Sequence, residues 1–507
     1  MTINKFDNLI KFLVRFFNKE WSGAFLAIII LSVSIEIVTS GKPFFHPSNI
    51  MTILNNSAAI GVIAGGMTLV ILTAGIDLSV GSVMGMVAAL TGYLASFWGF
   101  PPVMSIMAGL AIGALVGILH GGLIAYLGMP AFIVTLAGLS VWRGTAHLTT
   151  GAKATPELPE LFDYFGRFNP LAWIRAGYKD SSLPSILEPV GRFVDSYWMS
   201  TFRTFQMSLL IFILFFIVLA LVINKTRLGR YTYAIGSNEQ GSRQAGINTR
   251  FYKLLAYFIC SSSAALGAFL FLGRAPYAKS DYGQMWELDA IAAVVIGGTS
   301  LFGGRGTLLG TFFGVILLKL INNGLTLAQL NTFWQMVVTG IVILIAIGID
   351  IVRQNQSAEL TRRMIVFIGS IMSFFVFITP VSLYLKAWVA VHEHNSVTYL
   401  KDSGQKLVTA HNYRLLPQKE INEYITLMQT NLMPSIIFGL LFLSSLIMIK
   451  FGLKWLSYIF SIIYVFMIFL FFYYEFQVAI PFLVLGSILI FVSSFIPFIY
   501  KRAQEIK

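Results

Sequence analysis

Long apolar runs, separated mostly by short polar loops, recur along the whole chain, and each is about as long as a helix must be to cross a bilayer, about 20 residues. Spans are expected near 22–39, 50–73, 79–98, 103–126, 130–149, 205–223, 251–273, 287–304, 306–323 and 332–352, and again near 364–386, 433–449, 455–473 and 477–499. Hydrocarbon offers backbone N–H and C=O groups no partner, so only helices or closed barrels cross it, and these runs are too long and continuous for barrel strands. The expected fold is therefore an all-α polytopic membrane protein. About ten helices form a first region, residues 1–353, Gly-rich with mostly short loops; about four more form an appended module, 364–507, rich in Phe, Ile and Leu, with one long loop at 387–432. Glycines interrupt the pattern between 50 and 98 and between 287 and 323, where spans can become broken or re-entrant.

Charge orients the chain. Hydrophobic residues make up 57% and charged residues 11%, with a mean hydropathy of +0.78. Lys and Arg number 35 against 22 acids, for a formal net charge of +13. A nucleic-acid partner is one reading of such a balance, but the excess lies in short loops beside spans, where the membrane accounts for it. With the N-terminus inside, the cytoplasmic side receives the basic stretch 227–253, Arg353 with Arg362 and Arg363, Lys450 with Lys454, and the tail Lys501, Arg502 and Lys507. Both termini are then cytoplasmic. The long segments 151–204 and 387–432 each carry equal numbers of basic and acidic residues, as translocated segments can. Lys5, Lys11, Arg15 and Lys19 precede the run from Trp21, but that run lacks a small-residue cleavage site and reads as a retained first span. Cys260 is the single cysteine, so neither an intrachain disulfide nor a thiolate metal site can form within one chain.

The segment from Arg227 to Tyr257 is a basic island between two apolar runs, which marks it as a docking place for something soluble. Ser237 and Gln240 have the spacing of a capping box, and Gly246 can take the left-handed conformation that ends a helix. They predict a helix of about two turns from Asn238 to Ala245. Alone it would be unstable in water, so it needs its own membrane helices or a partner to rest on.

Glycines recur every four residues at Gly109, Gly113, Gly117 and Gly121, and at Gly306, Gly310 and Gly314, with pairs at Gly61/Gly65 and Gly81/Gly85. That spacing puts each set on one helix face, where close helix packing is expected. Two polar interruptions stand out. In the first, 75–81, Asp77 or Ser79 can cap the following helix, or Asp77 can contact a solute. The second, 297–306, holds Gly298, Thr299, Gly303, Gly304 and Arg305; it suits a hinge or gate, or equally a tight turn, and lacks the Gly-Lys-Ser/Thr of an ATP site. His120 reads as a packed neutral imidazole. Glu36 is expected at a helix interface or the outer water, and Glu287 and Asp289 near the outer start of the eighth span. His392, His394 and His411 show no metal-ligand spacing, and no arrangement of catalytic residues emerges.

Three blocks carry a resemblance: TLVILTAGIDLSVGSVMG at 68–85, LGRYTYAIGSNEQGSRQAGIN at 228–248, and ELDAIAAVVIGGTSLFGGRGTLLGTFFG at 287–314, continuing through INNGL at 321–325. In content and order they resemble the permeases of monosaccharide ABC importers, the ribose, xylose and galactose group, over about residues 20–353. The resemblance implies an ABC importer permease core for the first ten helices, at home in a bacterial inner membrane. It implies a separate ATP-binding cassette ATPase that carries ATP and Mg, this chain binding no cofactor. It also implies a second permease subunit, expected as a homodimer, and a periplasmic or lipid-anchored sugar-binding protein. The island becomes a coupling segment, with Gly236, Ser237, Asn238, Glu239, Gln240, Arg243, Ala245, Gly246 and Ile247 at the ATPase. Asp77, Ser79, Gly298, Thr299, Gly303, Gly304 and Arg305 fall to the pathway or gate. The outer segment 151–204 is longer than the family's usual one, and 364–507 has no recognised counterpart. Permeases for nucleosides or polyols, and a non-transporting membrane scaffold, remain the alternatives.

Overall fold

The computed structural model describes residues 21–38, 44–182, 184–196 and 203–327, with 335, 336, 339 and 340. By its contacts the chain divides into Met1–Asp350 and Ile351–Lys507, and every element below belongs to the first. Apart from those last four residues, the expected span 332–352 lies outside the described residues, as do the module 364–507 and its loop 387–432.

Among the described residues all regular structure is helical. In chain order the helices are α1 Ser22–Val38, α2 Pro47–Leu72, α3 Val80–Ser96, α4 Pro102–Ala125, α5 Ala131–Thr150, α6 Pro170–Lys179, α7 Glu188–Ser196, α8 Met207–Lys225, α9 Arg227–Ser237, α10 Glu239–Gln244, α11 Thr249–Leu272, α12 Trp286–Ile296 and α13 Leu308–Leu327. Five of them, α2, α4, α8, α11 and α13, are long and apolar enough to cross a membrane. The helix expected at 130–149 is present as α5, but Arg143 and His147 lower its apolarity. The segment 151–204 contributes α6 and α7, joined by an ion pair from Arg175 to Asp195 at 2.8 Å.

Helix α2 is the axis of the bundle. Pro47 opens it, where a missing N–H costs nothing, and the helix is buried along most of its length against α8, α11, α12 and α13. Gly61 and Gly65 leave room for Phe212, Phe215 and Phe216 of α8, while Gly66 faces Cys260 and Ser263 of α11. In the last turn of α1, Glu36 accepts the backbone N–H groups of Phe44 (2.7 Å) and Phe45 (3.2 Å), and so ties the end of α1 to the residues just before α2. Asn49 and Asn323 exchange side-chain hydrogen bonds at 2.8 and 3.1 Å, which ties the start of α2 to α13. By contrast α4 and α8 are one-third buried over their spanning windows, as lipid-facing helices are.

The four-residue glycine stripe of α4 is a helix-packing seam. An added Cβ at Gly113 would meet Ala265, at Gly117 the backbone of Tyr257 and Phe258, and at Gly121 Leu254, all on α11. The Gly81/Gly85 pair differs from expectation. It faces not a helix but the non-helical stretch that follows α11: a Cβ at Gly85 would strike the carbonyl of Tyr282, and one at Gly81 the carbonyl of Gly283 and the Glu287 carboxylate. Farther along α3, Gly92 meets Ala278. Eleven residues of α3 separate Gly92 from Gly81, about 16 Å of rise. Residues 278–283 therefore pass through that depth of the bundle in non-helical form.

One expectation is met and one corrected. Glu287 and Asp289 stand in the first turn of α12, at the start of the eighth span, with Glu287 buried beside the first turn of α3. The eighth span, expected over 287–304, is an 11-residue helix ending at Ile296, about 16 Å long and so half a crossing. The cause is the pair Gly297 and Gly298, the latter at φ +91°, which turns the chain out of the helix. The close contact of Gly297 with Gly310, and of Ala293 with Gly314, then folds α12 and α13 into a hairpin.

The seam gives a direct test. Gly117→Leu should destabilise the purified protein by roughly 1–3 kcal/mol through overpacking against α11. Gly122→Leu, where no atom lies within 4 Å of an added Cβ, should stay within about 0.5 kcal/mol. Thermal unfolding in detergent reads both.

Candidate functional site: a junction of the polar island with two helix breaks

The island folds into α9 and α10. Asn238, with extended dihedrals of φ −160° and ψ 96°, is the N-cap of α10, and its Oδ1 accepts the Gly241 N–H at 2.8 Å. The expected box between Ser237 and Gln240 does not form. Ser237 ends α9 instead, its hydroxyl donating to the Tyr233 carbonyl at 2.9 Å, and the helix spans Glu239–Gln244 rather than Asn238–Ala245. Counted from Asn238, the third helical residue is Gly241, which has no side chain to complete a box.

The C-terminal stop is as expected: Gly246 sits at φ +83° with open space around it. Gly246 N–H bonds Arg243 O at 3.0 Å, and Ile247 N–H bonds Ser242 O at 3.1 Å. Glu239 pairs with Arg243 (3.3 Å) and with Lys253 of α11, anchoring the short helix to a spanning one. Ser242 is buried and Ile247 half-buried, while Gln240, Arg243, Gln244 and Ala245 are exposed. Among the island's candidates these four make the outward face of α10.

The end of α9 meets both polar interruptions. Gly304 N–H donates to Leu72 O at 3.0 Å, across the two breaks. Gly236 packs against that same carbonyl and the Gly304 nitrogen, closer than any side chain would allow. Tyr233 Oη donates to Gly306 O at 2.7 Å. Gly303 backs onto Ala74 and Gly304 onto Ser237, with Gly303 at φ +82°, Gly304 at φ +70° and Ala74 itself at φ +60°. Those positive φ values are why glycine stands at 303 and 304. Within the second break, Ser300 N–H bonds Arg305 O at 2.9 Å and Thr299 N–H bonds Val294 O at 3.1 Å. Thr299 is buried against Gly306 and its hydroxyl finds no partner among the described residues, whereas the Arg305 residue is exposed.

Deeper in the first break, Asp77 is fully buried. Its Oδ1 accepts from Ser79 N (2.9 Å) and from the Ser79 hydroxyl (2.6 Å). Ser79 holds the N-cap position of α3, but neither side chain caps that helix's first turn. The pair belongs instead to a buried chain. Trp142 Nε1 donates to His120 Nε2 at 3.0 Å, so the imidazole proton sits on Nδ1, which faces the Ser79 oxygen at 3.3 Å. His120 is thus neutral, as expected, and its partners explain why. Among the described residues no N–H or O–H donor reaches the second carboxylate oxygen of Asp77. The Tyr257 hydroxyl and the Cys260 thiol lie within its electrostatic range. Asp77 and Ser79 are therefore brought together with His120, and not directly with Thr299 or Arg305. Among the described residues no three His, Cys, Asp or Glu side chains gather as metal ligands would.

Sequence reasoning missed Tyr233, Leu72, Arg143, Trp142 and Lys253. Tyr233 and Arg143 bond to backbone carbonyls far along the chain, and Leu72 acts through its carbonyl, so no spacing signals them.

A short polar helix is thus stitched to two backbone breaks inside a helical bundle. Residues 49–347 match the family model described as "Branched-chain amino acid transport system / permease component", and the chain belongs to that family. It is 35% identical over 341 residues to the ribose import permease protein of Escherichia coli (strain K12), covering 66% of this chain and 96% of that one. It is 37% identical over 329 residues to the ribose import permease protein of Bacillus subtilis (strain 168), covering 65% and 92%. The fructose import permease protein of Rhizobium meliloti is 32% identical over 345 residues, covering 68% and 88%. No solved structure matches the chain. The resemblance to monosaccharide importer permeases is thereby met, and the protein is a multi-pass membrane transport component rather than an enzyme.

Tyr233→Phe keeps the packing and removes one neutral hydrogen bond of about 1 kcal/mol. Amide hydrogen exchange over 297–307 should then quicken by about fivefold, while the core of α2 stays protected.

Proposed function

We propose that this chain is the permease subunit of an ATP-binding cassette importer that moves a monosaccharide across the bacterial inner membrane. The single observation that carries the reading is the junction itself: the α9–α10 island is bonded to both breaks through Gly304 N–H to Leu72 O and Tyr233 Oη to Gly306 O. A push on α10 is thus delivered to the ends of α2, α12 and α13 without passing through a flexible loop. Ribose and fructose in the names of the relatives support a sugar, and the absence of a catalytic arrangement in the sequence fits a chain that moves its solute unchanged.

In this reading both termini and the island face the cytoplasm, as the charge distribution favours. The core has ten spans, with four more in 364–507. ATP and Mg belong to a cassette ATPase seated on the exposed face of α10. A sugar-binding protein, periplasmic or lipid-anchored, delivers the solute at the opposite side, and two copies of the permease enclose the path. ATP binding closes the ATPases and shifts the α10 helices. The Glu239–Lys253 pair carries that shift into α11, and the junction carries it into the breaks. A bilayer-spanning path must open to one side at a time, and backbone breaks backed by glycines are where helices can rearrange without tearing their hydrogen-bond ladders.

Uptake of labelled ribose, fructose and xylose by cells depleted of this chain, then supplied with wild-type or variant chain, tests the reading. Arg243→Glu reverses the charge on the docking face, and Gly246→Pro forbids the φ of +83° that ends α10. Each should lower uptake by roughly 5- to 150-fold, a coupling free energy of about 1–3 kcal/mol, while the chain still inserts and accumulates. Normal sugar uptake by both variants would refute the docking role, and wild-type restoration of uptake only for a nucleoside or polyol would move the substrate class.

A further inference from the structure

The non-helical stretch beside α3 has its carbonyls collected by one side chain. Arg143 of α5 donates through Nη1 to Ser280 O and Tyr282 O, both at 2.7 Å, and through Nη2 to Gly81 O at 3.3 Å. One turn on, His147 Nδ1 lies 2.9 Å from the Ser280 hydroxyl. Above them, Thr155 exchanges two hydrogen bonds with Ala278: its N–H to Ala278 O at 3.0 Å, and Ala278 N–H to its Oγ1 at 2.8 Å. The fork has room only because residue 85 is glycine, since a Cβ there would strike both Tyr282 O and the guanidinium. Glu287 and Asp281 lie within electrostatic range of Arg143 and offset its charge.

We propose that Arg143 is a positioning residue for translocation: its guanidinium ties the unwound segment Ser280–Tyr282 to the first turn of α3, so that α12 and the break after it move together with α3. A guanidinium suits this task because it is planar, permanently charged and carries five donors in fixed directions. Lysine supplies the charge but cannot hold three carbonyls from one plane. The functional sense of the proposal rests on the importer reading, but the geometry does not, and the test is chosen accordingly.

A cysteine placed at exposed Gln284, next to the segment, reports its accessibility in the full chain in membranes, because the native Cys260 is buried. A second reporter at exposed Ser182, in the segment before α7, reports the fold elsewhere. The probe is a membrane-impermeant maleimide. Both R143K and R143M should raise the labelling rate at Gln284→Cys by about tenfold and leave Ser182→Cys unchanged, as expected when a local anchor of charge-assisted hydrogen bonds is lost. Unchanged labelling at Gln284→Cys in both variants would overturn the proposal. An equal rise at both reporters would overturn it too, since Arg143 would then support the fold at large rather than this segment. Labelling needs no transport, so a failure here is separable from a failure of the importer reading.

Discussion

Backbone hydrogen bonds have no substitute inside a membrane, and that constraint shapes every unusual feature of this bundle. An N–H or C=O left unpaired in hydrocarbon costs several kcal/mol, so a chain that leaves the helical path there must find its partners in the protein. Three stretches do so. Leu72 O, freed where α2 ends, takes Gly304 N–H; Gly306 O takes Tyr233 Oη; Ser280 O and Tyr282 O take Arg143. A hydrogen bond to a charged group contributes roughly 1.5–3 kcal/mol, and Arg143 makes three of them. Each break is therefore held by a few identifiable hydrogen bonds as well as by close packing. Such an arrangement is firm in one state and can be exchanged for another.

The glycines follow from the same constraint, in three different ways. Along α4 they are a packing seam, letting α11 approach to backbone contact. Along α3 the same spacing admits a non-helical strand of chain instead, with carbonyls and a guanidinium where a helix face was expected. At 303 and 304 they serve backbone conformation. One sequence pattern thus has three physical causes.

This is why legibility in the sequence was uneven. The helices themselves were readable from apolar runs, and the stop at Gly246 from turn chemistry, because both depend on neighbours within a few residues. The N-cap was missed by one position because Ser237 and Asn238 are both good caps, and the choice was made by Tyr233, whose carbonyl claims the Ser237 hydroxyl. The glycines at 297 and 298 marked a possible break but not that α12 would end at Ile296, and the roles of Tyr233 and Arg143 were illegible, because the carbonyls they bond at Gly306, Ser280 and Tyr282 lie 73 to 139 positions away. Asp77 stood out correctly as a buried acid, yet His120, which meets its partner Ser79 from a different helix, had no mark in the sequence beyond its glycine neighbours.

The account comes down to a mechanical claim: the outward face of α10 receives force from a partner, and the junction at Leu72, Gly236 and Gly304 passes it into the membrane. The most direct measurement purifies the protein gently from its native membrane, asks whether a stoichiometric ATPase subunit accompanies it, and follows hydrolysis as a sugar-loaded binding protein is added. The account predicts that the ATPase is present and that its hydrolysis rises with the loaded binding protein and not with the empty one. A chain that comes away with no ATPase partner, or with one indifferent to sugar, would contradict it.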